Sequence, residues 1–139
     1  MISTVVRHVA PLLAVPFTLL LAQGPRSTDV WTATLEGRGV PRLGAAVNLT
    51  HRAGYDNQPS FTPDGAAVLY TVIENNGPSD IWRIDLKTLT RTRVTTSDVE
   101  SEYSATPMPD GAHFSSVRVE ADSTQRLWKF MLSGDGAPS

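Results

Sequence analysis

The chain has no cysteine among its 139 residues. This removes disulfides, thiolate zinc sites, iron–sulfur clusters and a cysteine nucleophile together, and with them the acylated cysteine of a bacterial lipoprotein. An excess of one charge is lacking too. Twelve basic and 14 acidic residues, spread along the chain, give a formal net charge of −2 and no block able to track a phosphate backbone. Nucleic acid is not an expected partner. A bilayer-spanning run is also missing: the apolar stretch from Val9 to Leu21 is broken by Pro11 and Pro16 and falls short of the roughly 20 residues that a membrane helix needs. Arg7 and His8 precede it and Ala22-Gln23-Gly24-Pro25 follow, which is signal-peptide architecture. The expectation is a cleaved leader over 1–22 and a linker over 23–28. The mature chain would then be periplasmic or secreted, with no lipid anchor and no membrane span.

The apparatus of catalysis is likewise missing. There is no Gly-x-Ser-x-Gly elbow, His8 falls in the leader, and His51 and His113 have no H-E-x-x-H or comparable ligand spacing. Asp98, Glu100 and Glu102 alternate as a weak calcium site would, since hard cations need several converging oxygens. The glycine and terminal glutamate of a full calcium loop are absent, so these acids read as a solvated loop. Asn48-Leu49-Thr50 matches a glycosylation pattern but falls in an expected strand. No cofactor or metal is expected, and the chain reads as a non-enzyme.

What the sequence does have is a repeat. Phe61-Thr62-Pro63-Asp64-Gly65-Ala66 returns 46 residues later as Pro107-Met108-Pro109-Asp110-Gly111-Ala112, and Trp82 and Trp128 each follow their Asp by 18. Asp29-Val30-Trp31 and Leu49-Thr50 add a half copy, matching Asp80-Ile81-Trp82 and Val94-Thr95. Asp-Gly tolerates the positive φ of tight hairpin turns. The β-branched and aromatic run from Ala66 to Ile73 suits a strand, and Asn75-Asn76-Gly77-Pro78 ends it. Strands near Asp80 to Leu86 and Arg91 to Thr95 complete a four-stranded unit. Four short strands per 46 residues, with no helical stretch after the leader, is the arithmetic of a β-propeller blade. A sandwich has no reason to repeat the distance from Pro-Asp-Gly to tryptophan. With the tryptophans on one strand of each blade, packing between blades accounts for them better than ligand stacking.

Tyr55-Asp56-Asn57-Gln58-Pro59-Ser60-Phe61-Thr62-Pro63-Asp64-Gly65 resembles the blade signature of TolB-like, WD40-like propellers: a proline, an aromatic, then Ser/Thr-Pro-Asp-Gly. The second copy places Pro107 and Met108 where the first has Phe61 and Thr62. The resemblance covers Asp29 to about Leu132 and implies a propeller module. Such blades occur in periplasmic translocation proteins and in the propellers that precede prolyl-oligopeptidase catalytic domains.

The expected architecture is all-β: a half blade over 29–50, a full blade over 55–95, an incomplete blade over 102–132 and a disordered tail over 133–139. Nine strands, in two to three blades of four antiparallel strands, leave the ring open, so either a longer native chain or several complementing copies is anticipated. The apolar blade face with Val68, Tyr70, Phe114 and Trp128 is expected to lack cover, and open edges to favour self-association. The leading functional reading is a non-enzymatic exported module binding a protein partner through its inter-blade loops, at Tyr55, Asp56, Asn57, Gln58, Glu100, Glu102 and Tyr103. Its rival is the front part of a secreted prolyl-oligopeptidase-like hydrolase whose catalytic domain lies outside this sequence.

Overall fold

The computed structural model describes residues 27–133, which hold eleven strands and no helix. The expected leader, residues 23–26 of the linker and residues 134–139 lie outside that range. Strands β1 (Trp31–Thr32), β2 (Leu35–Glu36), β3 (Arg42–Leu43) and β4 (Val47–Asn48) come first. A meander follows, of β5 (Tyr55–Phe61), β6 (Ala67–Ile73), β7 (Ser79–Asp85) and β8 (Arg91–Arg93). Then come β9 (Ser101–Pro107), β10 (His113–Val119) and β11 (Gln125–Met131). The meander is one four-stranded antiparallel sheet in chain order, β9-β10-β11 form a three-stranded sheet, β1 pairs with β4, and β2 pairs with β3. None of these sheets closes on itself.

The turns behave as their residues dictate. Gly65 and Gly111 hold φ of 67° and 69°, where a side chain is strained, in equivalent hairpins 46 residues apart. The preceding aspartates lock those turns: Asp64 Oδ1 accepts from the Thr62 hydroxyl at 2.6 Å and the Ala66 amide at 3.0 Å, while Asp110 Oδ1 accepts from the amides of Ala112 and His113.

Strand β6 is buried almost throughout because both of its faces are covered. Val68, Tyr70 and Val72 join Ile84, Val30 and Leu49 on one side, with Trp82 and Leu86 packed against them. Leu69 and Ile81 join Val94, Ala105, Phe114 and Phe130 on the other, where Trp128 and Leu132 pack. Phe114 and Phe130 are cross-strand partners, stacked with ring centroids 5.4 Å apart. Each such side chain contributes roughly 1.5–3 kcal/mol on full burial. The expectation of an uncovered face therefore fails for Val68, Tyr70 and Phe114, which the neighbouring sheets bury. Trp82 and Trp128 pack between sheets as anticipated, whereas Trp31 is 59% exposed.

The expected count of nine strands is also too low. Trp31 pairs with Asn48, 17 residues on, whereas the equivalent pair Trp82 and Arg93 is 11 apart. The six extra residues double back, pairing Leu35 with Leu43 and Glu36 with Arg42 as β2 and β3. Gly37, Gly39 and Pro41 supply the turn, and a run so rich in turn residues reads as loop in sequence.

Candidate functional site

One polar device appears twice. Thr50 and Thr95, both buried, accept from the amides of Val30 and Ile81 at 3.0 and 2.9 Å through their hydroxyls, which in turn donate to Asp29 and Asp80. The second carboxylate oxygen of each aspartate takes a different partner: Asn48 Nδ2 on Asp29 at 2.9 Å and Arg93 Nη2 on Asp80 at 2.6 Å. These clasps tie the β1–β4 pair and the β7–β8 pair. Asn48 Oδ1 also accepts from the amides of Thr50 and His51, so the side chain of the sequon asparagine is spent on structure.

The leading strands β5 and β9 carry a second repeated feature. The β5 register slips between Asn57 and Ser60, and β9 slips where Val117 and Ser115 face Tyr103 and Thr106. Each bulge opens on a residue of positive φ, Gln58 at 53° and Ser104 at 57°. Pro59 is tolerated in β5 because the bulge has already interrupted the ladder there. Gln58 Oε1 accepts from the Thr71 hydroxyl at 2.9 Å and from the Ser104 amide at 3.0 Å, tying one sheet to the next.

Immediately before each bulge lies a buried acid. Asp56 receives Arg52 Nη2 at 2.6 Å, and Glu102 receives the Ser97 hydroxyl at 2.9 Å. Arg118, the cross-strand partner of Glu102, brings its Nε to 3.3 Å, an ion pair too poorly aligned to count as a hydrogen bond. Asp56 Oδ2 and Glu102 Oε2 have no hydrogen-bond partner among the described residues. Burial pushes the Glu102 carboxyl above its ordinary range, against the opposing pull of Ser97 and Arg118. Asp80 is likewise raised by burial, with Arg93 opposing.

The expected partner-binding residues are thus not in loops, with one exception. Tyr55, Asp56, Asn57 and Gln58 lie in β5, and Glu102 and Tyr103 lie in β9; Glu100 alone precedes its strand. The stretches are polar, but the ladder to β6 and β10 outweighs their low strand propensity. Asp56 and Glu102 are buried and unavailable to a partner. Asn57 and Gln58 are exposed, and Tyr55, Glu100 and Tyr103 are half-buried. Asn57 Nδ2 donates to the Tyr55 hydroxyl at 3.1 Å, and the Tyr103 hydroxyl donates to Gln125 at 2.9 Å. Glu100 and Glu102 both meet Arg118, at 3.2 and 3.3 Å, and not a shared cation position. Sequence reasoning missed Arg52, Ser97, Ser104 and Arg118. Only Arg52, four residues before Asp56, left a local signal.

A cleft of about 460 Å³ lies over Tyr70, Val72 and Trp82, rimmed by Arg52, Glu74, Leu89 and Arg91. Its arginines are committed, Arg52 to Asp56 and Arg91 to the Thr50 carbonyl at 2.7 Å. Burial lifts the Tyr70 hydroxyl to about 12, so it stays neutral. His113 is bound to Asp110 at 2.8 Å in the exposed turn.

No known family profile matches the sequence. Among solved structures the chain is similar to a TolB candidate from Agrobacterium tumefaciens at 24% identity and TM-score 0.59, over 69% of this chain and 36% of that one. It is similar to TolB from Acinetobacter baumannii at 21% identity and TM-score 0.57, over 80% of this chain and 32% of that one. The chain spans about a third of the length of these solved chains. The fold is that of a TolB-like β-propeller, present as an incomplete set of blades.

Proposed function

We propose that this chain is a non-enzymatic, exported protein-binding module of the β-propeller type, periplasmic or secreted, whose partner is read by the leading strands of successive blades. The blades correspond to a half blade over 29–50, a full blade over 55–95 and an incomplete blade over 102–132. The carrying observation is the duplicated bulge on β5 and β9. It presents exposed Asn57 and Gln58 beside half-buried Tyr55, Glu100 and Tyr103, braced from behind by buried Asp56 and Glu102. Amide and phenol groups on a rigid strand offer area and hydrogen bonding at little entropic cost. Asp56 and Glu102 hold that ledge in place and make no contact with the partner.

Site-specific photocrosslinking in a host with a secretory pathway tests this reading. A crosslinker at Asn57 or Tyr103 is expected to trap one discrete protein adduct, while one at Lys87, in the outer turn of the full blade, does not. Equal adducts from all three positions, or none, would argue against a binding ledge on the leading strands. N-terminal sequencing of the same material is expected to give a chain beginning near Gln23. An intact Met1 end in the cytoplasm would remove the export part of the proposal.

A further inference from the structure

The β2–β3 hairpin stands clear of the blades. Among the described residues its two strands touch each other and no other strand, and the blade repeat does not require it, since the equivalent turn after β7 is six residues shorter. That shorter turn is pinned by Asp85 Oδ1, which accepts from the amides of Lys87 and Thr88 and from the Thr88 hydroxyl, and it exposes one aliphatic side chain, Leu89, at 52%. The long hairpin exposes more. Leu35 and Leu43 sit directly across from one another at 72% and 76% exposure, and Val40 at the tip is 86% exposed. Three aliphatic side chains on a projection with no packing role incur a solubility cost that calls for a use.

Charge at the tip narrows that use. Arg38 and Arg42 flank Val40 and enter no ion pair among the described residues. Glu36, opposite Arg42 in the register, has turned its carboxylate to the Thr34 hydroxyl at 3.3 Å. The tip is thus locally cationic on a chain of net charge −2. We infer that this hairpin is a membrane-surface anchor, inserting Leu35, Val40 and Leu43 among the acyl chains of an anionic bilayer while Arg38 and Arg42 pair with lipid phosphates. The concavity at this hairpin, about 720 Å³, is lined by its own Glu36, Gly37, Arg38, Val40 and Arg42, with no wall from a blade to enclose a protein partner. A lipid interface needs no shaped pocket, and arginine stems reach the phosphates readily.

The test is co-flotation of the full chain with phosphatidylglycerol-containing vesicles and with pure phosphatidylcholine vesicles. Every variant carries the same N-terminal apolar run, so differences between variants are the readout. Arg38→Glu with Arg42→Glu is expected to lower partitioning to anionic vesicles by at least about tenfold, on the basis of roughly fivefold per arginine, and to abolish its salt dependence. Val40→Asp with Leu43→Asp should lower binding to both vesicle types. Thermal melts should match wild type, because the hairpin touches no other strand; Val40→Ser with Leu43→Ser replaces the aspartates if they do not. Wild-type-like flotation of both double variants would overturn the assignment. So would capture of the chain by immobilised polyglutamate without vesicle binding, which would give the surface to an acidic protein.

Discussion

Gln58 accepts a hydrogen bond from the backbone amide of Ser104, the residue 46 positions later and its own counterpart in the next blade. One bulge thus holds the next, and the spacing between leading strands depends on an exposed side chain. Gln58→Ala removes the acceptor shared by the Ser104 amide and the buried Thr71 hydroxyl and leaves the amide only the Thr71 oxygen at 3.3 Å, for an expected loss of about 1–2 kcal/mol. Gln58→Gly loses the same bonds but relieves the strain of a φ of 53°, so it should be more stable than the alanine variant by about 0.5–1 kcal/mol. Urea denaturation of both variants checks the order. Alanine and glycine of equal stability would mean that the positive φ is not held in solution.

Gly65 isolates the same backbone effect, since a substitution there removes no side-chain hydrogen bond. A Cβ built there meets nothing within 4 Å, so φ alone decides the outcome. Gly65→Val is expected to destabilise by about 1–3 kcal/mol and Gly65→Asn by much less, since asparagine tolerates the left-handed region. Equal melting of the two variants would contradict the turn geometry.

The contrast between these turns and the buried acids shows what sequence can carry. Asp-Gly states its own backbone requirement, so both hairpins and the 46-residue spacing were legible. Glu102 was read as part of a solvated loop because its partner Arg118 is 16 residues away and becomes its neighbour only through the β9–β10 register. Tyr55 to Gln58 read as loop because four polar side chains carry no alternating apolar pattern, and the cover that makes them a strand comes from β6. The β2–β3 hairpin was invisible for a related reason. Two-residue strands have no periodicity, and their glycines and proline read as loop.

Thr95 is the acceptor for a buried backbone amide, that of Ile81. Thr95→Val keeps the shape and removes that acceptor, so a loss of about 1–3 kcal/mol is expected. Thr50→Val should do the same to Val30. Hydrogen exchange at the two amides distinguishes the sites: each variant should lose protection at its own clasp first. Unchanged protection at Ile81 in Thr95→Val would show that the clasp contributes nothing.

Burial raises the Glu102 carboxyl above its ordinary 4.5. Between 4.5 and its folded value, the folded chain keeps a proton that the unfolded chain has released. The contribution of this group is therefore fully present below 4.5 and is lost as pH rises through the folded value. The turn aspartates act in another window. Asp110, lowered to about 2 by the amides of Ala112 and His113 and by the His113 ring, gives stability that is present above 3.8 and lost as pH falls toward 2. Denaturant midpoints from pH 4.5 to 8 should fall with rising pH in wild type and fall less in Glu102→Gln, where Asp80, also raised by burial, keeps its own share of the slope. An identical slope in both would place the Glu102 carboxylate in solvent.

The open faces of the blade stack lead to the last prediction. Leu69 and Ile81 are fully buried by the sheet that follows them. Their counterparts 46 residues on are Ser115 and Leu127, and Leu127 is 74% exposed, in line with Val117 and Tyr103 across β11, β10 and β9. At the opposite end Trp31 is 59% exposed, where its counterpart Trp82 packs on the first core cluster. The two open faces are unlike, so contact of one with the other is heterologous and, where it does not close a ring, continues into a ladder, whereas two copies meeting through the Leu127 face alone would stop at a dimer. A ladder covers both faces at once, so the described chain is expected to sediment as a concentration-dependent series of species. Leu127→Lys, which puts a charge at the centre of the open row, should shift that series toward monomer while leaving far-UV circular dichroism unchanged. Sedimentation velocity at several concentrations decides the matter. A single monomeric boundary for wild type, or a Leu127→Lys chain that sediments like wild type, would rule out this face as the contact.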